Sequence, residues 1–199
     1  MAGHGPGRAY VVDEPGVVKN LLQNPTWSWI FLPLRLWLGY EWINAATHKV
    51  TSPAWMDGGT ALQGFWTRAV SIPEEGRPAI AFDWYREFIN FMLVNEWYSW
   101  FAKLIAVGQM AVGIALVVGA FTAIAAFFGL TMNVSFVLAG SASTNALLLL
   151  AALVLILGWK VAGYRGLDRW LLPALGTPWT RERVRPPRAA YPRALHATD

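Results

Sequence analysis

Between Lys103 and Lys160 lie 56 residues without a single Asp, Glu, Lys, Arg or His. A bilayer-spanning helix needs about 20 apolar residues, so that run alone holds two full spans and most of a third. Composition agrees. Charged residues make up 14% of the 199-residue chain, against about 25% in a soluble domain. The sequence therefore predicts an all-α integral membrane protein.

Hydropathy divides the chain into four spans. The first runs over 27–48 and carries Arg35 and Glu41. The second covers 97–119, the third 121–139 and the fourth 146–163. The expected fold is a four-transmembrane-helix bundle. Residues 49–96 are polar with three Trp, and 59–70 and 82–93 read as short interfacial helices between helices 1 and 2. The stretch SIPEEGRP (71–78) is a turn signal between them. Residues 1–26 form a polar N-terminal segment without the apolar core of a signal peptide. Residues 164–199 form a basic C-terminal tail with five Pro.

Orientation follows from the distribution of Lys and Arg. With both termini in the cytoplasm, ten basic residues lie inside (Arg8, Lys19, Lys160, Arg165, Arg169, Arg181, Arg183, Arg185, Arg188 and Arg193). The loop 49–96 then carries four outside. The net charge of +4 is thus a topology signal and a reason to expect contact with anionic lipids; it does not indicate nucleic acid. The reading is a multi-pass protein of a bacterial or archaeal cytoplasmic (inner) membrane.

Several chemistries are excluded by counting. The chain has no Cys, hence no thiolate nucleophile, disulfide, Cys-ligated iron–sulfur cluster or covalently attached haem. Its three His, at positions 4, 48 and 196, are too scattered for a haem or metal site made by one chain.

The stretches LRLWLGYEWINAATHK (34–49), PAWMDGGTALQGFW (53–66), AVGIALVVGAFT (111–122), MNVSFVLAGSASTN (132–145) and AGYRGLDRWLLP (162–173) resemble the DoxX/DoxD family. The W-x-D-G-G-T-A-L-x-G-F-W and A-G-x-x-G-L-D-R runs are the most specific. The likeness covers 27–173. It implies a four-helix membrane bundle, and electron transfer from a reduced sulfur anion such as thiosulfate to a membrane quinone. It also implies a departure: relatives commonly carry an acid in the second span where this chain has Gln109, so any proton relay through that acid is altered.

Candidate residues each carry two readings. Arg35, inside span one, contacts an anion or a quinone carbonyl, or else is bonded to backbone carbonyls. Glu41, Asn44 and His48 share a helix face and form a proton relay, or else serve packing and interface roles; Glu41 and His48 are the catalytic candidates. Gln109 and Asn133 bond a quinone oxygen or bridge helices. Trp42 supplies a wall. Trp55, Asp57, Gly58, Gly59 and Trp66 form either a lid over a site at the outer end of span one or an aromatic belt around a turn. Ala111, Ala115 and Gly119 form a small-residue stripe for close packing.

Two functions of different class follow. The first is a membrane subunit of a quinone-linked oxidoreductase. The second is a non-catalytic accessory subunit that stabilises or anchors a larger respiratory or photosynthetic complex. A chain with no redox centre of its own implies partner subunits in either case. A transporter is disfavoured, since no span is repeated or broken by Gly/Pro pairs.

Overall fold

The computed structural model describes residues 15–141, 143–177 and 179. Every element among them is helical, with no strand. In chain order they are α1 (Gly16–Gln23), α2 (Ser28–Val50), α3 (Pro53–Met56), α4 (Thr60–Val70), α5 (Asp83–Val94), α6 (Tyr98–Val118), α7 (Thr122–Leu138), α8 (Asn145–Leu157), α9 (Trp159–Ala162) and α10 (Asp168–Ala174). A single 3-10 turn, Pro25–Trp27, leads into α2. The Asn24 side chain caps it by accepting from the Thr26 N–H at 3.0 Å.

Helices α2, α6, α7 and α8 pack in a closed ring, with α2 against α6 and α8, and α7 against α6 and α8. Their shared core joins Phe31, Leu38 and Trp42 of α2 to Val112 and Leu116 of α6. It continues through Ala125 and Ala126 of α7 to Leu148, Ala151, Ala152 and Leu155 of α8. The α2–α6 approach is close because Gly39 and Gly113 face each other. A Cβ on Gly113 would lie 2.6 Å from Ile43 Cγ1 and 3.0 Å from the Gly39 carbonyl. This glycine pair is the packing stripe, whereas Ala111 of the expected stripe is exposed.

Among the described residues, helix α6 alone is long and apolar enough to cross a membrane, with a mean hydropathy of 2.1 over its window. Its 21 residues extend about 31 Å at about 1.5 Å per residue. Helices α7 and α8 are apolar but shorter, at 17 and 13 residues. Helix α8 stops at Gly158, where the Phe31 ring fills the space a Cβ would need. Helix α2 is long, at 23 residues, but carries charge.

The segment between α2 and α6 folds into a cap with its own core. Leu62, Trp66 and Ala69 of α4 meet Ile80, Tyr85, Ile89 and Met92, and all rest on Ala102 and Ile105 of α6 and Ala139. Gly59 starts α4 at φ +68°, and a Cβ there would collide with the Tyr98 carbonyl. Gly59, the second glycine of the turn signal, thus lets the cap approach the start of α6, while Gly58 supplies only the left-handed φ of the turn. The Tyr85 hydroxyl ties α5 to α7 by donating to the Ser135 carbonyl at 2.9 Å.

The segment following α9 is docked. Leu167 N–H donates to the Val118 carbonyl at 3.1 Å and Asp168 N–H to the Gly119 carbonyl at 2.8 Å. The A-G-x-x-G-L-D-R run is therefore a clamp on the α6–α7 turn. His4, His196, Arg8 and the five Arg from 181 to 193 lie outside the described residues.

Candidate functional site

The expected site residues separate into three groups along the bundle. Arg35 belongs to the end formed by the α6–α7 turn. It is 1% exposed. Nη1 donates to the Ala162 carbonyl at 3.4 Å and Nη2 to the Arg165 carbonyl at 3.3 Å. Gly119 and Gly166 leave the guanidinium its room, since a Cβ on either would collide with it. Asp168 supplies the countercharge. Arg35 is thus bonded to backbone carbonyls through both Nη groups, while its Nε has no partner. It does not join Trp55 and Trp66, which lie with the cap at the opposite end of α2.

Asp168 completes that junction. It is 2% exposed, and its carboxylate accepts from Phe121 N–H at 2.6 Å and from Thr122 N–H at 2.9 Å. Those are orphan donors of the first turn of α7, and a carboxylate there also complements the helix dipole. Phe121 holds φ +48°, an unfavourable conformation for a non-glycine, and the Asp168 bond secures it. The sequence offered one clue to Asp168: a lone acid in a span-end motif, across from a turn with no charge of its own.

At the cap end, Trp66 is 3% exposed and stacks at a tilt on Phe101 with centroids 5.7 Å apart. It is a core residue of the cap. Trp55 is half-buried, with Lys49 Nζ 5.2 Å from its ring centroid. Asp57 and Gly58 are exposed. Glu41 is half-buried and Asn44 and His48 are exposed, so their shared face turns outward from the ring of helices. Among the described residues no three His, Asp or Glu side chains gather as a metal ion would require.

The third group lies between these ends, inside the ring. Trp42 is 2% exposed, Gln109 2% and Asn133 0%. Each presents polar atoms with no hydrogen-bond partner: Trp42 Nε1, Gln109 Oε1, and both Nδ2 and Oδ1 of Asn133. Neighbouring contacts set their depth. A Cβ on Gly129 would stand 3.1 Å from Trp42 Nε1, and Asn133 is one turn further along the same face of α7. Gln109 is one turn from Gly113, which packs on Ile43. The three therefore lie within about one helical turn of each other in depth, on three different helices.

An unpartnered buried polar group costs about 1–3 kcal/mol, and most buried polar groups in folded proteins are paired. Trp42, Gln109 and Asn133 thus leave two donors and two acceptors without a partner inside the ring, and Arg35 Nε and Thr122 Oγ1 are unpartnered nearer the α6–α7 turn. No family model, no curated protein and no solved structure matches the chain.

Proposed function

We propose that this chain is a four-span, DoxX/DoxD-like membrane subunit of a quinone-linked oxidoreductase, and that α2, α6 and α7 hold the quinone headgroup at Trp42, Gln109 and Asn133. The observation that carries the reading is the set of unpartnered polar atoms on those three buried side chains. A quinone supplies two carbonyl oxygens, which accept; its reduced form supplies two hydroxyls, which donate. Trp42 Nε1 and Asn133 Nδ2 suit the first state, Gln109 Oε1 and Asn133 Oδ1 the second. The surrounding Leu, Val and Ala suit the apolar remainder.

Membrane insertion is supported by the surface of the ring. Only 39% of the apolar window of α6 is buried, whereas the core helix of a soluble protein is mostly covered. Leu104, Val107 and Ile114 of α6, Ile124, Phe127 and Phe128 of α7, and Leu147, Leu150 and Leu157 of α8 are all exposed. So are Trp29, Ile30 and Leu36 of α2. Contiguous apolar surface on that scale needs lipid or protein over it. The charge distribution favours a bacterial or archaeal inner membrane with both termini cytoplasmic. The resemblance to DoxX/DoxD sequences supports thiosulfate as the reductant. The chain lacks Cys, so electrons reach the quinone directly from the sulfur anion or through a partner subunit.

A second reading, an accessory subunit anchoring a larger respiratory or photosynthetic complex, is favoured by the cap. Helix α5 exposes Trp84, Phe88 and Phe91 in a row at helical spacing, a surface suited to a partner or to the headgroup layer. Photoaffinity labelling decides between the two. An azido-quinone applied to the solubilised protein should mark peptides carrying Trp42, Gln109 or Asn133. Labelling confined to lipid-facing residues of α7 and α8 would favour the accessory role.

A further inference from the structure

We propose that the groove beside the α6–α7 turn is a binding site for the headgroup of an anionic phospholipid. The groove has a volume of about 380 Å³ and is lined by Val118, Tyr164, Arg165, Gly166, Leu167, Arg169 and Trp170. That volume falls within the roughly 300–1,000 Å³ range of small-molecule sites.

Its two cations are held but not neutralised. The Arg165 guanidinium stacks 3.3 Å from the Trp29 ring centroid, and its Nε donates to Ser28 Oγ at 3.1 Å. These contacts leave both Nη groups free to donate, in the fork geometry that suits a phosphate. Arg169 lies 5.6 Å from the Tyr164 ring centroid. Among the described residues neither Arg forms an ion pair. The one acid nearby, Asp168, is buried and turned to the N–H groups of Phe121 and Thr122. Among the described residues, the groove therefore carries two positive charges and no negative one.

The remaining walls identify the occupant. Val118, Leu167 and Trp170 are 42%, 46% and 66% exposed, an apolar side continuous with the last turn of α6. A free phosphate has nothing to place there. A glycerophospholipid places its phosphate between the guanidiniums and its first chain carbons on that apolar side. Trp29 and Trp170 supply the amphipathic aromatic rings typical of the headgroup layer. Basic pockets at the cytoplasmic ends of membrane helices bind anionic headgroups by this combination. The inference rests on membrane insertion but not on the quinone site, which lies deeper in the ring.

The test is lipid retention. The full-length protein in mild detergent is loaded with phosphatidylglycerol or phosphatidylcholine, and the lipid surviving detergent exchange is counted by native mass spectrometry. About one phosphatidylglycerol per chain should persist, and phosphatidylcholine should not. Arg169→Gln should weaken retention about fivefold, and Arg165→Gln with Arg169→Gln about thirtyfold. The guanidinium of Arg169 rests against a ring rather than bracing the backbone, so that single variant stays informative if losing Arg165 unseats Trp29. Equal retention of both lipids, displacement of phosphatidylglycerol by millimolar inorganic phosphate, or full retention by Arg169→Gln would each overturn the proposal.

Discussion

Arg35 and Asp168 grip the same junction from opposite sides: Arg35 donates to the carbonyls of Ala162 and Arg165, while Asp168 accepts from the N–H groups of Phe121 and Thr122. Together they satisfy backbone groups where three chain segments meet. Two charges that would each be costly alone become the fastening of the bundle at the α6–α7 turn.

Replacing Asp168 therefore separates the clamp from the turn. Asp168→Ala removes two charge-assisted bonds worth about 1.5–3 kcal/mol each and exposes the unfavourable φ of Phe121. We expect a loss of about 3 kcal/mol, read as a lowered unfolding midpoint in detergent. Asp168→Asn keeps one acceptor and should lose less. A midpoint unchanged in both variants would contradict this account of the junction.

Gly59 carries the corresponding constraint at the cap. A side chain there meets both the left-handed φ and the Tyr98 carbonyl. A non-glycine pays about 1–2 kcal/mol for the backbone alone. Gly59→Ala should undock α4 and make residues 60–80 sensitive to limited proteolysis, while the four-helix ring stays resistant. Cleavage no faster than in the parent protein would show that the cap tolerates the shift.

Tyr85 adds a pH dependence to the same cap. Burial pushes its hydroxyl above the usual tyrosine range, and the bond it donates to the Ser135 carbonyl is lost on ionisation. A group with a raised folded pKa stabilises fully below its unfolded value, about 10, and loses that contribution as pH rises through the folded value. The cap should therefore loosen in alkali before the ring does. Tyr85→Phe should abolish the difference at a cost of about 1 kcal/mol, measured by hydrogen exchange of α5 between pH 8 and 11.

Topology is open to a clean test because the parent chain has no Cys. A cysteine at Ser71 should be labelled by an impermeant reagent in whole cells, and one at Thr180 should not. The reverse pattern would invert the charge argument.

Two of the helices were legible from apolar run length, but the expected fourth span, 146–163, breaks at Gly158 into α8 and α9 because the Phe31 ring occupies the space beside that glycine. The expected spans 97–119 and 121–139 differ by one residue at each end from α6 and α7. Orientation around each helix axis was not legible. A helix apolar on all sides has no polar face to mark its interior, so exposed Ala111 and buried Gly113 look alike in the sequence. Arg35 shows the same limit for charge. Its depth demanded a partner, but nothing in its neighbours on α2 pointed to carbonyls some 130 residues later. Trp66 read equally well as belt, lid or core, because a large ring serves all three. Gln109 and Asn133 could be singled out as polar residues in apolar spans; that Trp42 shares their level follows only from the packing.

The measurement that bears most directly on the central claim is the quinone content of the gently solubilised protein, compared with Asn133→Leu. Leucine shares the branched skeleton of asparagine and removes both orphan polar atoms; it is bulkier, so the two proteins are compared at matched folded fraction. We predict that the parent carries about one quinone per chain and that Asn133→Leu, equally folded, carries less than a tenth of that. Equal quinone in the two proteins would contradict the site.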